Sequence, residues 1–292
     1  MRTEKQMMDL ILGFAEKDDR VRAVAINGSR VNKNIPPDHF QDYDVVYLVR
    51  EMESFLKDPA WIDYFGERII LQTPEDERFF TPTLGGWYSY LMLFADENRI
   101  DLMLIPVSDA ERSAGEDTLT KILLDKDALF PALPPPSDQM HRVKKPTLEQ
   151  YAACCNEFWW CLNNVAKGLW REEIPYVQAM YYNGSHPQLV RLLNWKIGYE
   201  TAFGVSTGKA SKYMRRYLPE ELWKRFLQTY ISGDLEEIWE SACVMCELFH
   251  DVARELASRW GHVYNEQEAE ASYGFFKHVR TLPKDAGEVY PA

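Results

Sequence analysis

The sequence predicts an α+β protein in two parts: a mixed sheet flanked by helices over residues 1–138, and a mainly helical bundle over residues 139–292. Three observations predict it. Val21–Ile26, Val45–Val49 and Arg99–Ile105 are short runs rich in β-branched and other apolar residues, with the length and composition of strands. The segment from Phe130 to Ser137 carries Pro131, Pro134, Pro135 and Pro136, a stiff connection that no helix or sheet interior accepts. After Thr147 strand signals become sparse, and long stretches rich in Trp, Tyr and Leu take over. A chain of 292 residues is long enough to bury a core in each part.

Taken in order, Thr3 and Gln6 have the spacing of a capping box, and Met7, Leu10, Ile11 and Phe14 follow at helical spacing, so an amphipathic helix opens the chain. Val21–Ile26 is the first strand. Pro36 and Pro37 forbid a helix between Val31 and Phe40, which is expected to be a loop at the rim of the site. Glu51–Phe65 reads as a helix broken near Gly66, followed by a short run from Arg68 to Leu71. Trp87–Phe94, the turn Ala95–Asn98 and Arg99–Ile105 form a hairpin, and antiparallel pairing is expected to bring distant carboxylates together. Glu111–Asp127 is polar with a short apolar stripe. In the second part Thr147 and Gln150 cap a further helix. Trp159, Trp160, Trp170 and Trp195 read as core, and after Lys277 periodicity fades.

The chemistry concentrates where the first two strands meet. Gly28 and Ser29 directly follow a strand, where a glycine lets the backbone approach an anion and a serine hydroxyl adds a donor, so phosphate is the expected ligand. Asp42 and Asp44 are two apart on the next strand; they point the same way with α-carbons roughly 6.5 to 7 Å apart, and Tyr43 points to the other face. Two such acids are also compatible with plain solvation. Paired without a cation they repel, and an all-oxygen set favours magnesium or manganese over zinc. Asp101 opens the Arg99–Ile105 run and shares a face with Met103 and Ile105; if that run lies beside the Asp42 strand, a third carboxylate joins the pair.

Gly-Ser, then Asp-x-Asp on the following strand, then a lone Asp on a later one resembles the polymerase β-like nucleotidyltransferases. The wider stretches Asn27–Asn32 and Phe40–Tyr47 are similar to the aminoglycoside 6-adenylyltransferases that act on streptomycin, as are Arg191, Trp195, Gly198, the run Gly208–Tyr213 and Arg216–Leu218. The resemblance implies transfer of AMP from ATP to the 6-hydroxyl of streptomycin with release of pyrophosphate, and so antibiotic resistance. Mg2+ would be held by Asp42, Asp44 and Asp101, with Asp101 the general base. Gly28, Ser29 and Arg30, with Lys209 or Lys212 of the helical part, would meet the nucleotide. The alternatives are another acceptor, such as a lincosamide or a protein, or a catalytically inactive module that senses nucleotide.

The formal charge of −12 argues against a nonspecific nucleic-acid binder and suits a cationic substrate. Gly204–Ala210 looks like a phosphate-binding P-loop, but its first glycine is misplaced and Ala210 stands where a magnesium-holding hydroxyl is required. Cys154, Cys155, Cys161, Cys243 and Cys246 lack zinc-site spacing and read as reduced core thiols. There is no secretory pattern at the start and no membrane-length apolar run, so a cytoplasmic protein is expected, as a monomer.

Overall fold

The computed structural model describes residues 1–79 and 81–290. The chain divides into two compact units, Met1–Met140 and His141–Ala292. No helix of the described residues is long and apolar enough to cross a membrane.

The first unit opens with helix α1 (Glu4–Lys17), capped reciprocally by Thr3 and Gln6 as its sequence predicts, with Met7, Ile11 and Phe14 buried along one stripe. Strand β1 (Val21–Asn27) leads into a tight turn, Gly28–Val31, and a loop that returns as β2 (Tyr43–Val49). The helix expected over Glu51–Phe65 is shorter. It covers α2 (Met52–Lys57) only, because Pro59 breaks it and the chain continues as 3-10 turns through Phe65, started by the Asp58 carboxylate accepting from the Ala60 N–H. Strand β3 (Arg68–Gln72) is followed by the hairpin of β4 (Tyr88–Phe94) and β5 (Arg99–Pro106), in the places the apolar runs predict. Helix α3 (Ala110–Glu116) and strand β6 (Thr120–Asp125) complete the unit.

The sheet runs β3-β4-β5-β2-β1-β6. Its central pair corrects an expectation: β2 and β5 lie side by side in parallel, with Asp44 opposite Asp101, whereas antiparallel pairing was expected to gather the acids. The residues between them, α2, β3 and β4, make the return connection that parallel neighbours require. Both faces are covered. On one, Tyr43, Val45, Tyr47 and Val49 pack with α1; on the other, Val46, Leu48 and Ile105 pack with Ala110 and Ala114 of α3. Asp44 belongs by alternation to this second face, at the end of β2 where the apolar cover gives out.

The second unit is helical. Its long elements are α4 (Leu148–Trp170), α8 (Leu235–Trp260) and α9 (Glu266–Thr281), joined through α5 (Ile174–Met180), α6 (His186–Glu200) and α7 (Glu220–Leu227). Thr147 and Gln150 form the predicted capping box. Phe158 of α4 stacks on Phe249 of α8 with centroids 3.7 Å apart, and Trp159 is buried beside them, whereas Trp160 points outward and is 68% exposed. α9 continues past Lys277, where the apolar period is hard to read: Phe276 and Val279 are buried on one face. All five cysteines are free thiols. Burial pushes Cys154 and Cys155 up to about 12, and Cys246, wholly enclosed, is also pushed up, so burial favours the thiol form in each.

Candidate active site

Asp42, Asp44 and Asp101 each place a carboxylate oxygen within 4.8 Å of the others. Two come from neighbouring parallel strands, where the register sets Asp44 directly against Asp101. Asp42 stands one residue before β2, at the end of the loop from Asn32. It is held there by Arg30, whose guanidinium donates to the Asp42 carbonyl at 2.8 Å and the Gln41 carbonyl at 2.6 Å.

Gly28 faces the cluster from β1's end. Its φ of +75° is the left-handed conformation that glycine adopts without steric cost, and a Cβ there would lie 2.3 Å from Asp44 Oδ2. The Gly28 N–H donates to the Leu119 carbonyl at 3.0 Å, so this amide is committed to the fold; the Ser29 hydroxyl makes no hydrogen bond among the described residues. Asn27, paired in register with Asp44, has its side-chain Oδ1 buried without a hydrogen-bond partner. Together Asn27, Gly28, Asp44, Ser89, Asp101 and Asp117 line a cavity of about 390 Å³.

Of the residues expected to meet the nucleotide, Arg30 stands on the opposite face of the sheet and Lys212 is carried by the second unit. Arg30 is turned to the Tyr43 side of the sheet, stacked 3.6 Å from that ring's centroid, and its donors serve the backbone carbonyls that carry Asp42. Lys212 belongs to the helical unit, exposed beside the Lys209–Ser211 turn with its ammonium 5.1 Å from the Tyr213 ring centre. That turn follows α6 rather than a strand, which fits the rejection of a P-loop.

Arg99 also belongs to the site. Its Nε and Nη2 donate to the two Asp101 carboxylate oxygens at 2.7 and 2.6 Å, and its Nε is 4.0 Å from Asp42 Oδ2. Asp101 first, then Asp42 and Asp44, raise the guanidinium's pKa and hold it charged. The signal was available: two residues before Asp101 on a strand is the same face. Asp117, at the cavity wall, accepts from the Leu119 N–H at 2.8 Å and closes the turn into β6, an element the sequence left unassigned.

This arrangement can gather a divalent cation and phosphate oxygens at one end of the sheet. The sequence model of the streptomycin adenylyltransferase family matches residues 1–279. The aminoglycoside 6-adenylyltransferase of Bacillus subtilis (strain 168) is 40% identical over 269 residues, 92% of this chain and 95% of the relative. That of Campylobacter jejuni is 42% identical over 264 residues, 90% and 91% of the two chains. A crystal structure of an aminoglycoside 6-adenyltransferase from Bacillus subtilis aligns over 97% of this chain and 100% of that one, at 33% identity and a TM-score of 0.48. From the extent of the sequence matches, the chain belongs to the streptomycin adenylyltransferase family of nucleotidyltransferases.

Proposed function

We propose that the protein transfers AMP from ATP to a hydroxyl of an aminoglycoside, with streptomycin as acceptor, and releases pyrophosphate. The observation that carries this reading is the convergence of Asp42, Asp44 and Asp101 within 4.8 Å. Both relatives named above are called aminoglycoside 6-adenylyltransferases, which supports the acceptor class.

The residues fit a magnesium ion. The donors are all carboxylate oxygens, the set that hard divalent cations prefer, and the absent Cβ of Gly28 leaves room on the Asp44 oxygen that a larger residue would fill. Asp42, Asp44 and Asp101 would hold it. When bound, magnesium supplies positive charge that offsets the triphosphate and the charge developing on the transferred phosphoryl group.

The chain's own groups account for the rest. The Ser29 hydroxyl offers a donor to phosphate, and Gly28 keeps that approach free of side-chain bulk. Asp101 accepts the proton of the acceptor hydroxyl as its oxygen attacks the α-phosphorus; the bond from that phosphorus to the bridging oxygen breaks, and pyrophosphate leaves with the electron pair. The summed charge of −12 favours approach of a polycationic acceptor.

Pyrophosphate release with ATP and Mg2+ tests the reading across streptomycin, kanamycin, lincomycin and no acceptor. Release with streptomycin is expected, and Asp42→Asn or Asp44→Asn should reduce it at least about a thousandfold. Asp101→Asn should lower kcat by about 10² to 10⁴. Release only with kanamycin or lincomycin would reassign the acceptor. Nucleotide binding with no release from any acceptor would overturn transfer in favour of a sensing module.

A further inference from the structure

The carboxylate cluster already contains a cation, the Arg99 guanidinium. It occupies both oxygens of Asp101 at 2.7 and 2.6 Å and approaches Asp42 at 4.0 Å. Three carboxylates this close repel one another, and a two-pronged guanidinium is the strong way to satisfy one of them from a fixed direction. Arg99 is anchored through its backbone, paired with Leu93 of β4, while its side chain is 48% exposed. Its charged partners are the acids of the cluster itself, Asp101 and Asp42, so it can leave Asp101 without disturbing the core. The fork takes one lone pair on each Asp101 oxygen and sets a positive charge beside the cluster, so a metal ion must approach Asp101 against that charge.

We propose that Arg99 is a placeholder cation: it keeps Asp101 aimed and the three acids together before a divalent cation arrives, and it competes with that cation for Asp101. The proposal rests on the metal-site reading above. Arg99 is thereby a positioning residue that lowers the affinity of the empty cluster for metal. Removing its charge should strengthen metal binding, the reverse of what loss of a ligand or of general integrity would do.

The test is calorimetric titration of Mn2+ into the full-length protein without nucleotide or acceptor, for the parent, Arg99→Gln, Arg99→Lys and Asp44→Asn. Arg99→Gln should bind Mn2+ about tenfold more tightly than the parent, because a positive charge next to the site has gone. Arg99→Lys, which keeps a charge but loses the fork, should fall between them. Without metal Arg99→Gln should melt below the parent, and saturating Mn2+ should close the gap. If Asp44→Asn abolishes binding but Arg99→Gln binds as the parent does, or more weakly, the placeholder role is overturned and the metal site stands. If neither the parent nor Arg99→Gln binds Mn2+, the metal site falls and the placeholder with it.

Discussion

Gly28 and Asp44 meet across the antiparallel pair of β1 and β2 so closely that a single added methyl group on Gly28 would stand 2.3 Å from the Asp44 carboxylate. The glycine supplies two things at once: a backbone at φ +75° and empty space beside an acid of the cluster.

Gly28→Ala therefore forces a choice between moving the turn and moving Asp44. The strained backbone costs about 1–3 kcal/mol. A displaced carboxylate should cost at least about a hundredfold in kcat/KM, since misplacement by an ångström has that effect. Thermal unfolding and steady-state kinetics on the same preparation check both; full activity in a folded Gly28→Ala protein would contradict the contact.

Arg30 acts on the acids through the backbone, since its guanidinium donates to the Gln41 and Asp42 carbonyls and stacks on Tyr43. Arg30→Lys keeps the charge but cannot reproduce the planar two-carbonyl grip. We expect a stability loss of about 1–3 kcal/mol and a lower kcat with the KM for ATP little changed. A raised KM for ATP at unchanged stability would instead return Arg30 to the phosphate-binding role its place in the sequence implies.

His186 gives the helical unit a dependence on pH. It sits among Tyr181, Phe226 and Tyr230 with Nε2 3.1 Å from the Thr229 hydroxyl, and burial lowers its pKa from the ordinary value to about 4. Between about 6.5 and 4 the unfolded chain binds the proton and the folded one does not, so the stability contributed by the neutral ring is full above 6.5 and is lost as pH falls toward 4. The loss is on the order of 3 kcal/mol. Urea unfolding across this range should show a His186→Gln protein less stable than the parent at pH 7, with the difference shrinking toward pH 4; a constant difference would refute the titration.

Much of the sheet was legible because strand runs carry their own signature: β1, β2, β4 and β5 lie where β-branched and apolar residues cluster. β6 was not. It pairs with β1 at the sheet's edge, and its Lys121 and Asp125 interrupt the apolar run that marks a buried strand. The capping boxes at Thr3 and Thr147 were readable because both partners lie within one turn. The early end of α2 was not read, because the apolar residues continuing through Phe65 masked the break that Pro59 imposes.

The sequence by itself determined which side chains share a strand face: alternation sets Asp44 with Val46, and Asp101 with Met103 and Ile105. It also determined that Gly28 follows a strand. Only the tertiary structure decided that β2 and β5 are parallel neighbours in the register that puts Asp44 against Asp101. Only it decided that Arg30 turns to Tyr43 and that Arg99 closes on Asp101. The physical reason is range. A strand's alternation follows from its own backbone, whereas its neighbour, and the partners its charged side chains choose, depend on hydrogen bonds and burial contributed by segments distant along the chain.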